Sequence, residues 1–343
     1  MNIMHTSFQY KKHRKWLVSV VLLFVLLIFS MLFSLSIGDM DISIFEIVSI
    51  LKSKEGIEYA VLKNIRIPRT ILAFSVGGAL SLAGAMLQGV YRNPLVEPYT
   101  MGISGGAALG ITLCIVLGIH LQFSALALPL FGFVGAFGAI FLVYALSTKK
   151  HREVNIHRML LIGVMVSFIA SSVKLFFMSV TSSDNITSIV FWIMGSLNEP
   201  NRLLIYVSLI SSILGLVISY FYVVPLNALR IGEVKAKHLG VKTVGSIKVL
   251  FIVASVITGI SVSVAGIIGF VGLIIPHIVR NTIGSDYRVL LISSFLGGGV
   301  FLVLSDILAR TIISPNELPI GVITGMLGGL VFIIILSKKL KIN

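Results

Sequence analysis

Arg66 and Arg69 flank Pro68 where an apolar run begins in KNIRIPRTILAFSVGG (63–78). Arg310 closes a later apolar run at SDILAR (305–310). Pro68 suits the first turn of a helix, where its missing N–H breaks no bond. The arginines therefore belong to the mouths of hydrophobic helices. A guanidinium keeps its charge and grips a carboxylate through a planar fork. At a helix mouth it also anchors on lipid headgroups, and both chemistries are open to these residues. Lys174 is the one basic residue well inside an apolar run. A lysine there must face protein or water, or snorkel to the nearer helix end. Gly163, Ser167, Ser171, Lys174 and Met178 fall near one helical face, small and polar enough to line a path.

Other chemistry is scarce. His277 in PHIVR has no second ligand at metal spacing, so no metal site is expected. Cys114 is the single cysteine, which excludes a disulfide within the chain. No G-x-x-x-x-G-K-[ST] string occurs, so the chain is not itself an ATPase. Neither a His-Glu-x-x-His pair nor paired intramembrane aspartates suggest an enzyme. The glycine pairs Gly77–Gly78, Gly105–Gly106 and Gly297–Gly299 read as helix-packing contacts.

Membrane helices must carry these side chains. The chain has 343 residues, is 57% hydrophobic and only 12% charged, with a mean hydropathy of +1.04. No soluble fold buries that much apolar surface. Apolar runs predict ten spans, at 16–37, 69–90, 100–118, 122–147, 158–180, 203–224, 248–265, 267–280, 288–310 and 318–337. The first follows a basic tail, 1–15, and is too long for a signal-peptide core. Placing both termini in the cytoplasm puts most of the 27 lysines and arginines on that side, as the positive-inside rule requires. Arg66, Arg69 and Arg310 then face outward. The net charge of +14 needs no nucleic acid to explain it. Residues 38–65 predict an external amphipathic helix at Ile44–Leu51, and 181–202 a short re-entrant helix around Trp192. Residues 225–247 form a long cytoplasmic connection, and 338–343 a cytoplasmic tail. SLAGAMLQGVYRNPL (81–95) and SVAGIIGFVGLIIPH (263–277) echo each other faintly, as internal repeats in transporters do.

Several strings are more particular: RIPRT (66–70), AGAMLQGVYRNPLVEPYTMGISGGAALG (83–110), FWIMGSL (191–197), IGEVKAKHLGV (231–241), AGIIGFVGLIIPHIVR (265–280), DYRVLL (286–291) and ELPIGVITGMLGG (317–329). In this order they resemble the FecCD-type permeases, the membrane subunits of ABC importers for ferric siderophores, haem and vitamin B12. The resemblance implies an all-α polytopic membrane protein of about ten helices, the type II ABC importer permease fold, with 16–337 as one permease domain. It implies a multi-pass protein of the plasma membrane, dimerising with a second copy or a sister permease. Two cytoplasmic ATPase subunits and an external substrate-binding protein would complete the assembly. ATP and Mg would be used by the ATPase, with no cofactor in this chain and no nucleic-acid partner. The expected cargo is a ferric siderophore, with haem or cobalamin as the alternative. An ion-coupled secondary transporter is the rival class. It needs acidic groups at mid-membrane, and only Asp306, near an outer end, lies within a predicted span.

By the same resemblance, Arg66, Arg69 and Arg310 match arginines that accept glutamates of the binding protein. Gly232, Glu233, Ala236, Leu239, Gly240 and Val241 match the segment that couples to the ATPase. Ala236 and Leu239, three apart, are expected to share its docking face. Asn93 and Leu95, stiffened by Pro94, correspond to a cytoplasmic gate. Ser167, Ser171, Lys174 and Met178 remain the expected path. Leu330 stands where the family has the proline of Gly-Gly-Pro, which questions a kink in the last helix. Ser305 stands where alanine is usual.

Overall fold

The computed structural model describes residues 2–38, 40, 42–122, 126–147 and 156–340, and these form helices and connections without a strand. Ten helices overlap the ten predicted spans. They are α1 Asn2–Ser36, α2 Ile67–Tyr91, α3 Ile103–Val116, α4 Ala127–Ser147, α5 Ile156–Val180, α6 Arg202–Phe221, α7 Thr243–Ala265, α8 Val271–Thr282, α9 Tyr287–Thr311 and α10 Ile320–Leu340. Among the described residues, seven helical segments are long and apolar enough to cross a membrane. The basic stretch 148–155 and the last three tail residues lie outside the described residues.

α2 is the axis of the bundle and is buried along nearly its whole length. It packs against α6, α7, α8 and α9. The pairing with α9 is antiparallel: Arg69 meets Asp306, and Gly89 meets Tyr287. Midway, Gly77 lies on Gly298 so closely that a Cβ on either would strike the other's carbonyl. Small residues allow this approach where lipid offers no hydrophobic drive for association. α1 packs on α9, and its far face, from Leu17 to Phe29, stays apolar and exposed.

α3 and α8 differ from expectation. At 14 and 12 residues they are about 21 and 18 Å long at 1.5 Å per residue, short of a hydrocarbon core of about 30 Å. Each follows backbone that is not α-helical. Before α8, Gly266 (φ 73°) ends α7, and Phe270 takes φ 69°. Before α3, Gly102 takes φ 86° after a single 3-10 turn. The two echoing sequence segments are consequently not equivalent. Residues 81–91 continue through α2, whereas 263–277 contain the break between α7 and α8. They pack on each other instead, Gly84 against the Gly272 carbonyl.

At the end bearing Arg69, helices Ile47–Ser53 and Gly56–Val61 occupy the connection expected to lie on the membrane. Ile42, Ile47 and Leu62 form a small core there. The helix around Trp192 is present as Ser183–Met194, capped by the Ser182 hydroxyl. α10 runs through Leu330 as one helix, consistent with the missing proline.

Candidate functional site

The three predicted arginines gather at one end of the bundle, but each has a different task. Arg66 Nη1 donates to the carbonyls of Leu35 (2.7 Å) and Ser36 (3.0 Å), and Nη2 donates to that of Met40. Arg310 Nη2 donates to Ser34 O (3.2 Å) and Ser34 Oγ (3.0 Å), and Nη1 to Ile37 O (3.2 Å). Both guanidinium groups thus satisfy the orphan carbonyls that end α1, where positive charge also complements the helix dipole. Arg69 turns the other way. Its Nε and Nη2 each lie 2.9 Å from Asp306 Oδ1. Its Nη1 donates to both oxygens of Glu317 at 2.8 Å. Asp306 Oδ2 lies 3.2 Å from Arg310 Nε, joining the two arginines through one carboxylate. The arginines and Asp306 are buried. Glu317 remains 46% exposed, at the edge of a cavity of about 290 Å³ that also touches Arg69, Phe191, Ser196 and Pro319.

The segment expected to couple to an ATPase lies at the opposite end. Helix Glu233–His238 starts after Gly232 (φ 111°) and stops at Gly240 (φ 82°). Gly240 N donates to Lys237 O and Val241 N to Ala236 O, the paired bonds of a Schellman stop. A side chain at position 240 would be strained in this conformation. Ala236 and Leu239 do not share a face, contrary to the expectation from their spacing. Ala236 is 0% exposed within the core, while Leu239 is 66% exposed. Leu239 lies on the turn that leaves the helix, so the three-residue rule no longer applies to it. Ile231 and Val234 are exposed on the same short segment, and Glu233 pairs with Lys237 at 3.1 Å.

The string RNPLVEP (92–98), expected to hold a cytoplasmic gate, is also at this end. Asn93 Oδ1 accepts from Leu95 N at 2.9 Å, a local turn that presents Leu95 to the exterior. Two residues not anticipated tie this loop inward. Glu97 Oε1 accepts from Phe270 N at 2.7 Å, and Tyr99 Oη accepts from Ile268 N at 3.1 Å. They satisfy backbone donors that the α7–α8 break would otherwise leave unpaired inside the bundle. Gln88 reinforces the same region. It donates to Gly272 O at 3.0 Å and accepts from Arg280 Nη1 at 2.5 Å. An acidic residue between Pro94 and Pro98, in an otherwise apolar string, was the available signal for Glu97.

The expected path face is largely a packing surface. Gly163 lies on Met101, and Ser167 lies on Gly105 at the start of α3. Met178 packs with Ile111, Ile115 and Ile189. Ser171 and Lys174 are half-buried on the same side. The stripe that α5 presents outward is Met165, Phe168, Ser172, Leu175 and Ser179. Small residues suited α5 to close contact with α3, and that use leaves the same sequence pattern as a polar path. His277 is buried in α8, and no metal-holding group of His, Cys, Asp and Glu occurs among the described residues.

Comparison with known proteins places this geometry in context. The FecCD transport family matches residues 26–338. The hemin transport system permease protein HmuU of Yersinia pestis is 36% identical over 80% of this chain and 83% of its own. The vitamin B12 import system permease protein BtuC of Klebsiella pneumoniae subsp. pneumoniae is 34% identical over 96% of both chains. A solved structure, described as an inward-facing conformation of a putative metal-chelate type ABC transporter, superposes with a TM-score of 0.82. It is 30% identical and covers 94% of this chain and 99% of that one.

Proposed function

The chain belongs to the FecCD transport family and is a membrane-embedded permease subunit of an ABC importer. From that premise we propose that it passes a ferric siderophore inward along a path shared with a second permease copy or a sister permease. The arginine end faces outward, toward a binding protein that delivers the chelate. The end with Leu239 and Leu95 faces the cytoplasm with both termini, and two ATPase subunits seat there and supply the energy with ATP and Mg.

One observation carries this reading: two unlike exposed surfaces occupy opposite ends of the same α2–α9 pair. The outer one is charged, with Arg69 and a half-exposed carboxylate beside a cavity. The inner one sets exposed Ile231, Val234 and Leu239 among exposed Lys235, Lys237 and His238 around a glycine-stopped helix. A carboxylate-lined surface steers a soluble carrier and lets it leave. Apolar side chains ringed by basic ones suit a lasting subunit contact with a polar rim. Glu97 and Tyr99 link the inner gate loop to the α7–α8 break, so movement of the bundle reaches Leu95. Haem or cobalamin is the second reading, favoured by the names of HmuU and BtuC.

The test is uptake of labelled ferric siderophores, haem and cobalamin in a strain lacking the gene, with and without the chain restored. Restoration of ferric-siderophore uptake alone is the expected result. Restoration of haem or cobalamin uptake alone transfers the assignment to that cargo.

A further inference from the structure

Arg69 is flanked by two carboxylates that hold it very differently. Asp306 faces the Nε and Nη2 edge of the guanidinium, is 1% exposed and also meets Arg310. Glu317 has both oxygens on the single atom Nη1, is 46% exposed and has no second cationic partner among the described contacts. A buried carboxylate shared by two arginines is fixed. A half-exposed one is held weakly, because water competes for it. The Glu317 backbone stays in place, since Leu318 N donates to Ala309 O at 2.9 Å. Release of Glu317 therefore needs only a side-chain rotation. The adjoining cavity of about 290 Å³, between Arg69, Ser196 and Pro319, has room for another carboxylate-bearing side chain.

We infer that Glu317 is an internal stand-in for the docking partner's carboxylate. It occupies Arg69 Nη1 in the undocked permease and swings away when an acidic side chain of the binding protein enters the cavity. Asp306 stays on the opposite edge throughout and keeps Arg69 in position. The exchange swaps one ion pair for another, so docking discharges no buried charge and remains reversible. It also gives the surface a competing acid, which lowers its affinity for anions at large. This inference rests on the docking reading proposed above.

The experiment measures binding of fluorescein-labelled hexaglutamate to the permease complex in zwitterionic nanodiscs, by anisotropy at low and high salt. Four forms are compared: wild type, E317Q, R69Q and E199Q. Glu199 accepts from Asn201 N at 2.8 Å on the same face, so E199Q removes an equal charge without touching Arg69. E317Q is expected to bind about fivefold tighter than wild type, the strength of a solvent-screened pair, with E199Q near wild type and R69Q losing the gain. E317A, which cannot hydrogen-bond Arg69 at all, should tighten at least as much. If R69Q weakens binding but neither E317Q nor E317A binds tighter than E199Q, the stand-in role is overturned and docking at Arg69 survives. If R69Q binds like wild type, or no form binds, docking at Arg69 fails and the inference with it.

Discussion

Asp306→Asn is the substitution that most directly probes the arginine end. Asp306 is 1% exposed and lies between two guanidinium groups, 2.9 Å from Arg69 Nη2 and 3.2 Å from Arg310 Nε. Neutralising it leaves two buried cations facing an amide that cannot compensate them. Breaking a buried pair from one side costs about 3–5 kcal/mol, because a charge is left uncompensated. Glu317 partly offsets this for Arg69, and the carbonyls of α1 partly offset it for Arg310, so the lower end, about 3 kcal/mol, is expected. E317Q should cost no more than about 1 kcal/mol, since its carboxylate is half-exposed. The assay is thermal unfolding of the purified protein in detergent, followed by intrinsic fluorescence, for D306N, E317Q and R69M/D306N. Removing both partners should restore part of the loss, because no unpaired cation then remains at position 69. Equal small losses for D306N and E317Q would refute the argument that burial separates these two carboxylates.

Four further outcomes are expected. A236R should unfold the permease or block its accumulation, since Ala236 is fully enclosed. L239E should leave thermal stability unchanged and lower ATPase co-purification and uptake at least tenfold. E97A should loosen the 92–98 loop, because removing the acceptor leaves the Phe270 N–H unpaired inside the bundle at a cost of about 1–3 kcal/mol. In a cysteine-free background, a cysteine at position 95 should then react roughly tenfold faster with a membrane-impermeant maleimide, 1.4 kcal/mol being a factor of ten. The Asp286 carboxyl caps α9. Partial burial pushes its pKa up, but bonds from Arg288 N and Asn227 and the charges of Arg288 and Lys12 outweigh this and hold it below the ordinary aspartate value. A depressed carboxyl stabilises the fold above its unfolded pKa and loses that contribution as pH falls through the folded one. Thermal stability of wild type should therefore drop below about pH 4, and D286N should be less stable at neutral pH and show a shallower acid drop.

The helices were legible because apolar runs bounded by charge leave few alternatives in a membrane. α2 and α9 follow such runs closely, and Pro68 marks the head of the first. α3 and α8 were less so, since hydropathy cannot distinguish a full span from a half-length helix preceded by buried irregular backbone. Gly266, Gly269 and Phe270 made that break, and only the positive φ values of Gly266 and Phe270 reveal it. The arginine cluster was visible as residue types at helix mouths. Its internal acids were not, because Asp306 and Glu317 lie 237 and 248 residues from Arg69 and no periodicity links them. Ala236 was misplaced by helical spacing carried one residue past the helix, and on α5 the small residues that pack on α3 leave the same sequence pattern as a polar path.

ATP-dependent uptake in proteoliposomes tests the central claim most directly. The permease is reconstituted with its ATPase and binding protein, with ATP supplied on the side of Leu239 and labelled ferric chelate with the binding protein on the side of Arg69. The predicted result is accumulation of chelate that needs both ATP and the binding protein and is lost in L239E. Accumulation driven by a proton or sodium gradient without ATP would contradict the account.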